Sequence, residues 1–142
     1  MTISTRGRYA LRVLIDMAEN QRDVYIPLKD MAARQEISEK YLESIIKVFV
    51  KEQIVTAVRG KGGGYRLSRQ PEEISVEEVL LLTEGTLSPV ACAGASPSCR
   101  RMEDCRTTAL WQGLNQVIHE YLSSYSIRDL MAGAGCGYDY II

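Results

Sequence analysis

The segment Val58-Arg59-Gly60-Lys61-Gly62-Gly63-Gly64-Tyr65-Arg66-Leu67 constrains the fold more than any other stretch of this chain. Strand-forming side chains run from Ile54 to Val58 and from Tyr65 to Leu67, and the glycines between them permit the positive φ angles of a tight reversal. The pattern predicts a β-hairpin. Arg59, Lys61, Arg66 and Arg69 crowd this one protrusion, on a backbone that a second molecule can approach closely. A plain solvated hairpin and a hairpin that grips a nucleic-acid backbone both satisfy the pattern; the flanking segments favour the second.

Residues 5 to 20 place Tyr9, Leu11, Val13, Ile15 and Met17 on a helix, with Leu14 and Ala18 widening its apolar stripe and Arg6, Arg8 and Arg12 in its first turns. Pro27 precedes a short helix predicted over Leu28 to Arg34, in which Leu28, Met31 and Ala32 recur at helical spacing beside Lys29. Residues 35 to 37 form the turn. Ser38 then caps a helix running to Lys51, whose apolar face is Tyr41, Leu42, Ile45, Ile46, Phe49 and Val50. Its other face begins with Ser38, Glu39, Lys40, Glu43 and Ser44. A short helix, a tight turn, a second helix and a basic hairpin follow one another as in a winged helix-turn-helix, so the fold class is mainly α with one small β-hairpin.

Beyond the hairpin, Pro71 marks its end, and Ser75 with Glu78 three residues on makes a capping box for a helix through Thr83. Gly85 to Asp104 lacks periodicity, and a loop of that length needs an explanation. From Cys105 a helical pattern resumes, with Leu110, Leu114, Val117, Ile118, Tyr121, Leu122 and Tyr125 near heptad spacing. Such a stripe requires a partner, and the expected one is a second copy. The expected organisation is a winged helix-turn-helix domain over 1–83, a cysteine-bearing sensor loop over 84–104, a long C-terminal dimerisation helix with a short helix after it over 105–130, and a flexible tail over 131–142.

The net charge of −1 over 142 residues conceals a split, since residues 1–70 carry +5 and residues 71–142 carry −6. A basic front and an acidic back orient the molecule toward an anionic polymer. No apolar run approaches the roughly 20 residues of a membrane span, and the first residues lack the apolar core of a signal peptide. A cytoplasmic location is expected. There, four cysteines are reduced thiols or metal ligands rather than disulfides.

Cys92, Cys99 and Cys105 follow a Cys-x6-Cys-x5-Cys pattern in a loop of small residues, free of any helical geometry that would splay them apart. Soft thiolates select zinc, copper(I) or iron-sulfur centres, and the absence of paired Cys-x2-Cys spacing favours iron-sulfur among the metals. On spacing alone, three unrelated thiols fit equally well. Arg100, Arg101 and Arg106 are expected to favour nearby thiolates, which suits a cluster or a thiol sensor. Cys136, far off in a glycine-rich tail, reads as a bystander, and His119 as a surface or core histidine. No nucleophile with a base at plausible spacing appears, and the glycine run lacks the Lys-Ser or Lys-Thr pair of a phosphate loop, so the chain is not expected to be an enzyme.

Three motifs carry a family resemblance: Ile3-Ser4-Thr5-Arg6-Gly7-Arg8-Tyr9-Ala10-Leu11, Tyr41-Leu42-Glu43, and Val58-Arg59-Gly60-Lys61-Gly62-Gly63-Gly64-Tyr65. With them the chain, from Met1 to about Tyr125, resembles the Rrf-type winged-helix transcriptional regulators. The resemblance implies a homodimeric bacterial repressor on a two-fold operator in double-stranded DNA, with the helix from Ser38 in the major groove and the wing in the minor groove. Ser38, Tyr41 and Glu43 would face bases or phosphates and Arg59 would enter the minor groove. Arg6, Arg8, Lys29, Lys40, Lys61, Gly62, Gly63 and Tyr65 complete the expected contact set. Glu43 can accept from a cytosine amino group, and arginine favours a narrow minor groove.

The resemblance also implies an iron-sulfur cluster, expected as 2Fe-2S, on Cys92, Cys99 and Cys105. The sequence departs from the family's cluster-binding pattern in having six rather than five residues between the first two cysteines and Thr108 where that pattern has histidine. Arg8 stands where another branch supplies an acidic ligand from the partner's first helix. Glu103, Asp104, Thr107, Thr108, His119 and Cys136 are the candidates for a fourth ligand. The competing reading is a thiol-redox or zinc-binding protein-interaction module without a cluster.

Overall fold

Serine caps set where the first and third helices begin, and a proline sets the start of the helix between them. The computed structural model describes residues 2–21, 24–94 and 99–132. In α1 (Thr5–Asn20) the Ser4 hydroxyl accepts from the Gly7 amide, and Ala10, Val13, Leu14 and Met17 are buried at the i, i+3, i+4, i+7 spacing of one helical face. Pro27, extended before α2 (Leu28–Gln35), presets the backbone for the first turn, and Glu36 ends that helix in the left-handed region at φ 55°. Ser38 then caps α3 (Glu39–Lys51) by accepting from the Tyr41 amide, and Leu42, Ile45, Ile46 and Phe49 repeat the burial spacing of α1. The predicted turn is therefore one residue tighter, because Gln35 remains helical.

Strands β1 (Val55–Val58) and β2 (Gly64–Leu67) pair antiparallel, with Val55 opposite Leu67 and Val58 opposite Gly64. A third stretch of chain joins this wing. The Ile26 amide donates to the Tyr65 carbonyl and the Tyr65 amide to the Ile26 carbonyl, each at 2.8 Å, so the wing is fixed to the segment leading into α2. The Leu67 amide is satisfied by Gln21 Oε1 at 2.8 Å.

One buried polar cluster locks α1 to α2. Asp16 is 3% exposed and accepts from Arg34 through Nε at 2.9 Å and Nη2 at 2.7 Å, and from Gln35 Nε2 at 2.8 Å. The hydrogen bonds to Asp16 raise the Arg34 pKa above its ordinary value. Arg34→Ala leaves the carboxylate buried with a single amide donor and is expected to lower stability by about 2 kcal/mol, below the full cost of breaking a buried pair because Arg34 is itself part-exposed. Urea unfolding of the variant beside Arg34→Lys checks this, with lysine recovering part of the loss because it replaces a two-pronged contact with one point charge.

After the wing, residues Pro71–Glu73 form a 3-10 turn and α4 (Val76–Glu84) follows. Ser75 caps α4 by accepting from the Glu78 amide, as expected, but the reciprocal half of the capping box is missing. The Glu78 carboxylate pairs instead with Arg69 Nη2 at 2.7 Å, tying α4 to the end of the wing. The last helices among the described residues are α5 (Thr108–Ser123) and α6 (Ile127–Leu130). Thus α5 starts at Thr108 rather than at Cys105, and the third cysteine lies in the turn before it. The Val76 amide donates to Tyr125 and the Ile127 amide to Ile74, both at 2.9 Å, stitching the end of α5 to the start of α4.

Burial divides the α5 stripe in two. Ile118, Leu122 and Tyr125 pack against a small core of Val76, Leu80 and Leu87, whereas Leu110, Leu114, Val117 and Tyr121 are 60, 40, 60 and 57% exposed. No described helix is long and apolar enough to cross a membrane.

Candidate functional site

The turn at Glu36 sets α3 at an angle that leaves Ser38, Lys40, Glu43, Ser44 and Lys47 on its exposed side. Tyr41 is half-buried, its ring meeting Tyr9 edge-on at 6.1 Å, and the Arg12 guanidinium lies 5.0 Å from the Tyr9 ring centre. Ser38 Oγ accepts the Tyr41 amide proton, so this hydroxyl holds the helix start as well as facing outward. Lys29 is exposed in the first turn of α2.

Between α3 and the wing runs an open cleft lined by Glu43, Lys47, Arg59, Gly60, Gly63 and Tyr65, among others. The structure thereby brings Glu43, Arg59, Gly63 and Tyr65 of the expected contact set to one place. Burial raises the Tyr65 pKa, the Glu43 carboxylate adds to the rise, and Arg59 opposes it, which places all three groups in one electrostatic neighbourhood. Lys61 and Gly62 stand exposed at the wing tip. Lys47 was not among the expected contacts, although its place one turn beyond Glu43 on the polar face was the available signal.

The α1 arginines are engaged within the fold. Arg6 Nη2 donates to the Ser44 carbonyl at 2.8 Å, bracing α3, and Arg8 Nη2 donates to Thr5 Oγ1 at 3.1 Å. Arg12 donates to the Gln35 side chain and carbonyl at the α2 end.

In the described part of the cysteine loop, a 3-10 segment Ala91–Ala93 carries Cys92 and lies against α5. Cys99 is exposed and Cys105 partly so, and all three thiols are free. Among the described residues, no three Cys, His, Asp or Glu side chains come together as a metal site. Cys136, a candidate fourth ligand, lies outside the described residues, and His119 Nδ1 is engaged by Glu77 Oε1 of α4.

Cys105 has its own chemistry. The Thr107 hydroxyl, 3.2 Å from its sulfur, leads the groups that lower its pKa from 9.0 to about 7, followed by the Thr107 backbone and the Thr108 hydroxyl. A thiol so placed ionises across neutrality and reacts as the thiolate. In iron-free protein carrying Cys92→Ser and Cys99→Ser, alkylation of Cys105 by iodoacetamide is expected to rise through pH 7, and Thr107→Val to move the curve toward higher pH. A curve centred near the ordinary thiol value in both proteins contradicts the assignment.

Known proteins bear on this geometry. A family model described as "Iron-dependent Transcriptional regulator", Rrf2, matches residues 3–133. Protein rrf2 of Nitratidesulfovibrio vulgaris is 37% identical over 134 residues, 94% of this chain and 89% of that protein. The transcriptional regulator IscR of Photorhabdus laumondii is 36% identical over 131 residues, 92% of this chain and 79% of that protein. Among solved structures, CymR of B. subtilis, described as its global cysteine regulator, superimposes with a TM-score of 0.75 at 29% identity, covering 92% of this chain and 95% of that one. IscR of T. potens gives 0.72 at 31% identity, covering 92% and 85%. These relatives are regulators of transcription and not enzymes. On a match across nearly its whole length, the chain belongs to the Rrf2 family of transcriptional regulators.

Proposed function

We propose that the chain acts in the cytoplasm as a homodimeric repressor, binding a two-fold operator through α3 and the wing, with DNA affinity set through the cysteine loop. The observation that carries this reading is the cleft where Glu43 and Arg59 face one space between the exposed side of α3 and a glycine-rich wing. A helix of this exposure suits the major groove, and a narrow basic wing the adjacent minor groove.

The test begins with a duplex selected from a random library by the wild-type protein. Affinity is expected to fall steeply as salt rises, and Arg59→Ala to weaken binding about tenfold without changing the oligomeric state. Unchanged affinity in Arg59→Ala removes the wing from the interface.

Control through the loop rests on its three thiols, on the family's iron-dependent description and on the cysteine-regulator description of the CymR relative. Iron and sulfide analysis of anaerobically purified protein, with its visible spectrum and that of Cys92→Ala, separates the two forms of control. Cysteine-dependent visible bands support a 2Fe-2S centre on Cys92, Cys99 and Cys105. Colourless, iron-free protein after reconstitution assigns control to the thiols, led by Cys105 with its lowered pKa.

A further inference from the structure

The cleft between α3 and the wing holds a cation that the operator-binding reading has not used. Lys47 lies exposed on α3, four residues after Glu43, and lines the same cleft as Arg59, Gly60 and Gly63. Among the described residues it has no ion-pair partner: the pairs formed are Arg34–Asp16, Arg69–Glu78, His119–Glu77 and Arg128–Glu72. Glu43 sits one turn away yet does not engage it.

We infer that this cleft seats the DNA phosphodiester strand, with Lys47 as its cation. The inference rests on the operator-binding reading and deepens it. When a helix enters a major groove and the adjoining wing a minor groove, the sugar-phosphate strand dividing those grooves passes between helix and wing. That passage is the cleft. Gly60, with nothing within 4 Å of where a Cβ would stand, presents bare backbone on its wing side, which lets a strand approach closely, and Lys47 with Arg59 supplies positive charge on both walls. Glu43, nearer the start of α3, repels phosphate and is left to meet base-edge donors. A flexible lysine suits this place because it follows a strand as a point charge and needs no fixed fork geometry.

The test compares Lys47→Gln with Lys51→Gln, which removes an exposed cation at the end of the same helix but outside the cleft. Affinities are measured against salt for the selected duplex and for a scrambled duplex of equal length, with Arg59→Ala beside them. Lys47→Gln is expected to weaken both duplexes roughly three- to tenfold and to make the log-log salt slope shallower by about 0.9 per protomer, while Lys51→Gln changes neither. Four results overturn the seat. If Lys47→Gln is unchanged while Arg59→Ala is impaired, the interface stands without a seat at Lys47. If the loss falls on the selected duplex alone with an unchanged slope, Lys47 reads bases. If Lys51→Gln loses as much, the effect is the general field of the helix. If selection enriches no duplex, the operator reading and the seat fall together.

Discussion

Leu114→Glu with Val117→Glu is expected to yield a folded monomer that no longer holds a two-fold operator. Leu110, Leu114, Val117 and Tyr121 follow one another at spacings of four, three and four residues, the repeat of a helix–helix seam, and all four are exposed. Fold maintenance falls instead to Ile118, Leu122 and Tyr125, which pack on the core beneath α4. In a two-fold contact each residue is used twice, so two substitutions place four charges in the seam and remove the burial of four side chains, each contributing about 1.5–3 kcal/mol when fully buried. Separated protomers also lose the effective concentration that joins two half-sites, a loss of at least about 100-fold in operator affinity. Sedimentation and circular dichroism check the first half of this outcome, and titration of the selected duplex the second. A double variant that still sediments as a dimer excludes this face. Ile118→Glu provides the contrast, because it is expected to unfold the α4–α5 packing itself.

That division of α5 marks where sequence reading reached and where it stopped. Periodicity located α1, α3 and α5, the long helices among the described residues, because burial of one face imposes the 3.6-residue repeat that α1 and α3 display. The same periodicity gave a single wide stripe on α5, since two adjacent apolar faces, one for the chain's own core and one exposed, add up to one pattern. Local details failed where a group had another use. Glu78 has the spacing of a capping box but meets Arg69, nine residues back, and Cys105 fits the helical pattern yet bonds with Thr107 in a turn. Contacts distant in sequence were invisible: Asp16 with Arg34 and His119 with Glu77 join different helices, and a single sequence contains no signal for such pairing. In the candidate interface, charge and glycine content revealed the wing, but which residues line the cleft depends on the angle between α3 and β1. The place of Lys47 on the polar face was readable from its spacing to Glu43, but its place in the cleft emerged only with that angle.

Gly64→Ala is expected to detach the wing and to cost about 3 kcal/mol of stability, combining backbone strain with a steric overlap in a packed site. The glycine run reads from sequence as an accommodation to a bound polymer, yet at this position the chain's own backbone is the close neighbour. Gly64 sits at φ 149°, and a Cβ built there falls 2.3 Å from the Ile26 carbonyl oxygen. That carbonyl accepts the Tyr65 amide, so relieving the overlap breaks the paired hydrogen bonds that fix the wing to the segment before α2. Gly62 is the control, because it has φ 78° with nothing within 4 Å of its built Cβ. Alanine there meets only left-handed strain of about 1 kcal/mol. Chemical denaturation of both variants, with hydrogen exchange at the Ile26 and Tyr65 amides, distinguishes them. Gly64→Ala should lose stability and protection at both amides, and with the wing no longer held beside α3 its affinity for the selected duplex should fall even under conditions where the protein stays folded. Retained protection with wild-type stability shows that the wing does not depend on this contact. The glycines of one short run thus divide by what they face: Gly64 admits the chain's own segment at Ile26, and Gly62 leaves the tip open to whatever the wing meets.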